Sequence, residues 1–226
     1  MTLQPVPWLA RTGGLLAMVA AATVAGGPGA GGAGRDGDIR EFTVGLSVDE
    51  LPAEGYLGFK CGNNGARPGK EIAGWGAFAD CPADEDGLHE VAFEYDDSEV
   101  RYEDLEGTAV AGHQVLISLL FDGEGVVEGI RVFTDPFARP YEKRRARILS
   151  NRVRYRFGLE GWTCRPEEPG PGESDIGGVF IKERCRKDLG NRVVDMFTQF
   201  YRRPGADGEE IVNSTSFEIR RRPAES

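Results

Sequence analysis

"RPYEKRRARILSNRVRYRF", Arg139 to Phe157, packs eight bases and one acid into nineteen positions of a chain whose formal net charge is -10. Whether this stretch is a long helix decides the fold class. Asp135 with Pro136 makes a capped entry, Pro140 fits a first helical turn, and Gly158 is a stop signal. Tyr141, Ile148, Leu149, Val153 and Tyr155 form an apolar stripe at roughly helical spacing, although bases interrupt it. The segment therefore predicts one long basic helix over 136–158.

On either side the pattern is extended. "LHEVAFEYD" alternates Val91, Phe93 and Tyr95 against Glu90, Ala92 and Glu94, as a strand with one buried face does. "HQVLISLLFD" and "VVEGIRVFTD" flank the turn "DGEG" and read as a β-hairpin. After the basic segment, "GGVFIKERC", "RVVDMFTQFYRR" and "EEIVNSTSFEIRR" alternate between turn-prone "KDLGN" and "PGADGE". "IREFTVGLSVDELP" adds a short strand and a turn near Ser47, and the glycine-rich region from Gly55 to Cys81 reads as loop. Five or six antiparallel strands against one long helix predict an α+β fold, with antiparallel sheet packed on the basic helix. A hairpin leading into a long helix is similar to units of small periplasmic domains of the PepSY and outer-membrane assembly lipoprotein types. No diagnostic motif accompanies that likeness, and no family is assigned.

The first 25 residues resemble a secretory signal peptide. Arg11 precedes an uncharged stretch from Thr12 to Ala25, and small residues near Thr23 and Ala25 suit cleavage. The apolar stretch is shorter than the ~20 residues a bilayer requires, so no transmembrane span is expected after cleavage. Residues 26–38 read as a flexible glycine-rich lead-in, and 39–226 as a single secreted domain. Within it, "CPADEDGLHEVAFEY" and "CRKDLGNRVVDMFTQF" share an Asp three residues after a Cys and a Phe twelve after it. That echo suggests two pseudo-repeats, 39–135 and 159–226, joined by the helix.

Export into an oxidising compartment makes disulfides the natural use of Cys61, Cys81, Cys164 and Cys185. Of three pairings, Cys61 with Cys81 and Cys164 with Cys185 is favoured because the two loops are of similar length. In the chain-entropy model each closure contributes roughly 3 kcal/mol. Zinc is disfavoured, since no CxxC spacing occurs and the only histidines are His89 and His113.

Charge is asymmetric. Twelve acids lie between Asp80 and Glu106 against Arg101 alone, while the basic segment carries Arg139, Lys143, Arg144, Arg145, Arg147, Arg152, Arg154 and Arg156. Two readings stand: the helix faces the acidic strands within one fold, or it presents its bases to an anionic envelope component or an acidic protein face. The compartment and the overall acidity exclude nucleic acid. The acidic stretch gives weak candidates for calcium or another hard cation at Asp80, Asp84, Asp86, Asp96 and Asp97. "DCPADEDG" departs from an EF-hand, with Pro82 at the first ligand position and Phe93 at the twelfth, and no cofactor is predicted. No G-x-S-x-G, H-E-x-x-H or phosphate-loop pattern occurs. The sequence therefore points to an exported non-catalytic binding or accessory protein of the periplasm or cell envelope. The alternatives are a carboxylate-dependent secreted hydrolase and a purely structural interaction protein.

Overall fold

A computed structural model describes residues 37–62, 69–96, 108–139, 146–206 and 208–222. It corrects the α+β expectation: strand accounts for 51% and helix for 12%, the sheet is mostly antiparallel, and there is no long helix among the described residues.

Within the expected helix over 136–158, the described residues hold a 3-10 turn at Ala146–Ile148 and one α-helix, α1, at Leu149–Phe157, and residues 140–145 lie outside them. Residues 136–139 are not helical, and the reason lies at Asp135. Its carboxylate accepts the Phe137 amide at 2.7 Å and its carbonyl accepts the Ala138 amide at 3.3 Å, which closes a tight turn instead of starting a helix. At the other end Gly158, at φ 88°, stops the helix. The apolar stripe is also narrower than expected. Leu149 and Val153 are buried and Phe157 half-buried, whereas Ile148 and Tyr155 stand in solvent.

Among the described residues nine strands form the sheet: β1 (Tyr56–Cys61), β2 (His89–Tyr95), β3 (Ala109–Val110), β4 (His113–Phe121), β5 (Val127–Thr134), β6 (Trp162–Pro166), β7 (Ile181–Asp188), β8 (Arg192–Gly205) and β9 (Gly208–Arg221). Their order is β1-β2-β4-β5-β9-β8-β7-β6, with β3 beside β4. Each half is thus a meander, and the last strands of the two meanders, β5 and β9, pair antiparallel from Gly129↔Arg220 to Phe133↔Ser216. The "DGEG" hairpin turn forms because Asp122 Oδ1 accepts the Glu124 and Val126 amides, while Gly125 takes φ 81°.

Alternation divides the sheet into two unlike faces. One carries Val91, Phe93, Ile117, Leu119, Ile130, Val132, Val194, Met196, Phe217 and Ile219, and with Leu149 and Val153 of α1 these form the core. Phe42 and Trp75 complete it, edge-on to Phe93 at 5.1 and 4.8 Å, and the Trp75 indole donates to the Pro52 carbonyl. The opposite face is the more polar one, although it also carries Leu120, Phe133 and Phe197, and across it run Glu90, Arg131 and Glu218. Of the echoed phenylalanines, Phe93 lies on the core face and Phe197 on the polar one, although Asp84 and Asp188 both cap turns that lead into strands.

The 55–81 region read as loop contains β1 and a 3-10 stretch at Trp75–Asp80. The expected first strand, near Ile39, is reduced to isolated bridges, Ile39↔Phe42 and Ser47↔Val126. The turn at Ser47 is a capped 3-10 helix.

Candidate functional site: the helix ridge

Both expected disulfides are present. Cys61 and Cys81 join the end of β1 to the residue before the β2 approach, with Cα atoms 5.2 Å apart. Cys164 and Cys185 face each other across β6 and β7, with Cα atoms 4.0 Å apart. His89 packs beside the first, its Nδ1 2.6 Å from the Cys81 carbonyl oxygen. Both bonds fit an oxidising, extracytoplasmic location.

At about 100° per residue, Leu149, Ser150, Val153 and Phe157 fall on one side of α1, which faces the sheet. Ile148, Arg152 and Tyr155 fall on the other. The two flanking arginines are held by the protein. Arg154 reaches Glu183 at 2.9 Å and both sulfurs of the second disulfide, at 3.3 Å and 3.1 Å. Arg156 donates to the carbonyls of Gly37 and Asp38. Next to it Asp38 is buried against Arg192, at 3.0 Å; burial raises its carboxyl above the usual range, opposed by the Val44 amide and the two guanidiniums.

That leaves an outer ridge. Ile148 is 42% exposed, Tyr155 68% and, just past the helix stop, Leu159 60%. Arg152 stands among them in solvent, and Arg147 lies over the Phe200 ring at 4.9 Å while remaining exposed. Arg139 is exposed before the segment; Lys143, Arg144 and Arg145 lie outside the described residues.

Asp80, Asp84, Asp86 and Glu90 of the acidic stretch make their contacts away from this helix. Asp80 pairs with Lys70 at 3.9 Å, Asp86 with Arg220 at 3.7 Å and Glu90 with Arg131 at 2.8 Å. Asp84 Oδ1 accepts the amides of Asp86 and Leu88, which builds the turn before β2. Those four acids are thus spent singly, on loops and ion pairs. Asp97 lies outside the described residues, and Asp80, Asp84, Asp86 and Asp96 form no metal-ligating group among those described. Among the described residues, the one group with ligand spacing, Cys164, Glu183 and Cys185, has its two sulfurs in a disulfide.

Comparison with known protein families, characterised proteins and solved structures finds no match. The site must therefore be argued from its chemistry. No described helix is long and apolar enough to cross a membrane. What α1 offers is a short ridge in which aliphatic, phenolic and guanidinium groups alternate in solvent. Sequence reasoning found the bases but placed Ile148 and Tyr155 on the inner side. The signal that separates them is the Leu149, Val153, Phe157 spacing of four, which fixes the inward face by itself.

Proposed function

We propose that this is an exported, non-catalytic accessory protein of the cell envelope that docks onto anionic lipid surfaces through the outer ridge of α1. The observation that carries the reading is the exposure of Ile148 and Tyr155 around Arg152, on the side of the helix opposite its core contacts, with Leu159 also exposed just past the helix stop. A large aliphatic, a phenol and an arginine side by side suit the boundary between headgroups and acyl chains. The apolar parts enter the acyl boundary and the guanidinium stays at phosphate level.

Magnitudes support reversible docking. A base near an anionic leaflet contributes about 1 kcal/mol, so Arg147 and Arg152 together give about 2 kcal/mol before any apolar burial. The chain's net charge of -10 opposes approach, but at physiological salt that repulsion is screened beyond ~8 Å. A ridge that touches the surface acts inside that distance.

Vesicle co-sedimentation tests this. The protein is expected to pellet with vesicles containing phosphatidylglycerol and not with pure phosphatidylcholine, and to be released by high salt. Arg152→Glu and the pair Tyr155→Ser with Leu159→Ser should each abolish pelleting while the thermal midpoint is unchanged. Equal pelleting with neutral vesicles, or no effect of these exposed substitutions, would count against the proposal.

A further inference from the structure

On the face of the sheet opposite α1, strands β5, β9, β8, β7 and β6 frame a groove of about 670 Å³. That volume lies inside the range of roughly 300 to 1,000 Å³ usual for small-molecule sites. Register explains its shape. One cross-sheet row reads Phe133, Ser216, Phe197, Arg184, Arg165, each residue directly opposite the next. The neighbouring row reads Arg131, Glu218, Asp195, Arg186, Thr163. Ser216 is the small residue between two phenyl side chains, so the row leaves a trough there.

Spacing sets what fits. Strands lie about 4.8 Å apart, so Phe133 and Phe197 stand about 10 Å from each other across Ser216. Aromatic contacts have ring centroids about 4.5 to 7 Å apart, so one inserted ring touches both walls. From Ser216 beneath that ring, Arg184 lies two strands along the same row and Arg165 three, about 10 and 14 Å away, and Arg184 leans back over the Phe197 ring toward it.

The charges are arranged to receive it. Arg165 and Arg184 occupy directly paired positions, and like charges so placed destabilise a sheet unless an anion is shared between them. Arg165 is exposed and has no carboxylate partner among the described residues. Arg184 lies over the Phe197 ring at 3.8 Å and is held by Glu167 at 2.6 Å; Arg186 is held by Asp195 at 3.1 Å. Both pairs stand in water, with each arginine side chain 63% exposed, so they contribute at most about 1 kcal/mol and exchange readily for a ligand. The other acids of the groove are committed elsewhere, Glu218 to Arg131 and Arg220, and Asp188 to Arg222.

We propose that this groove binds a small aromatic anion, its ring between Phe133 and Phe197 above Ser216 and its phosphate or carboxylate against Arg165 and Arg184. The site is independent of the α1 ridge, because it lies on the other side of the sheet. Phenyl phosphate, inorganic phosphate and phenol serve as probes, with binding read by calorimetry and by amide shifts of β8 and β9. Phenyl phosphate should bind at least about tenfold more tightly than either fragment, because charge-assisted and ring contacts act together.

Arg165→Gln should weaken phenyl phosphate about tenfold and leave phenol unchanged, since it removes one charge-assisted contact. Ser216→Leu should block both by filling the trough. Because Arg165 has no carboxylate partner, its variant keeps the thermal midpoint and serves as the variant in which folding is spared. Phenyl phosphate binding no more tightly than inorganic phosphate, or undiminished in Arg165→Gln, would overturn the proposal.

Discussion

Replacing Arg131 by Met removes the centre of the charged row on the polar face. Arg131 spans 87 residues of sequence to reach Glu218 at 2.6 Å and 41 to reach Glu90 at 2.8 Å. Its side chain is 10% exposed, and those of Glu90 and Glu218 are 13% and 24%. Taking one partner from a buried ion pair typically costs about 3 to 5 kcal/mol, mostly through the charge left behind. Here the carboxylates are not stranded completely, since Glu90 still accepts the Ser118 hydroxyl at 2.6 Å and Glu218 still holds Arg220. The lower end, about 3 kcal/mol, is therefore expected. For a domain of this size that lowers the thermal midpoint by about 6 to 12 °C. Urea unfolding measures it, with an unchanged slope showing that the unfolded state is the same. The triple variant Glu90→Gln, Arg131→Met, Glu218→Gln should recover most of the loss, because no buried charge remains. A single-variant cost below about 1 kcal/mol would refute the reasoning, since that is the worth of an exposed pair. So would a triple variant as unstable as the single.

Gly129→Ala should destabilise by about 1 to 3 kcal/mol in the same assay. The added carbon would sit 2.8 Å from Leu120 Cδ1, 3.0 Å from Arg220 Cδ and 3.1 Å from the Ile219 carbonyl oxygen, and a neutral outcome would show that this crossing of β5 and β9 is looser than described. Replacing Cys164 and Cys185 together by Ser should lower stability by roughly 3 kcal/mol in the chain-entropy model, read as a lower urea midpoint. Asp188 is held below its ordinary 3.8 by the Gly190 amide first and then by Arg222. A lowered carboxyl contributes stability above its unfolded value that is lost as pH falls through the folded one, so Asp188→Asn should differ from the parent at neutral pH and converge with it in strong acid. A gap that stays constant into acid would contradict that assignment.

The strands legible in the sequence were those with a sharp contrast, either between their two faces or between apolar runs and the turn that separates them. Val91, Phe93 and Tyr95 against Glu90 and Glu94 announce β2, and the paired runs around "DGEG" announce β4 and β5. Where that contrast fails, so does the reading. β6 is a five-residue edge strand, "WTCRP", with no apolar run, and β1 carries Gly58 and a register shift between Leu57 and Lys60. The basic segment misled for a different reason: Asp135 and Pro136 cap a turn as readily as a helix, and local sequence does not choose between them. The disulfide pairing was legible from loop length and compartment. The functional surfaces were only half legible. Arginine content marked α1, but which arginines are free of the fold depends on Glu183 and on the carbonyls of Gly37 and Asp38. The arginine groove was invisible, because it arises from register between β5, β9, β7 and β6, strands up to about ninety residues apart.

The most direct test of docking through α1 is tryptophan emission from Tyr155→Trp, compared with the parent protein, on vesicles carrying brominated phosphatidylglycerol. The account predicts a blue-shifted emission for the new indole that bromine quenches and high salt restores. An indole at position 155 that keeps its water-exposed spectrum while the protein is bound to the vesicles would contradict it.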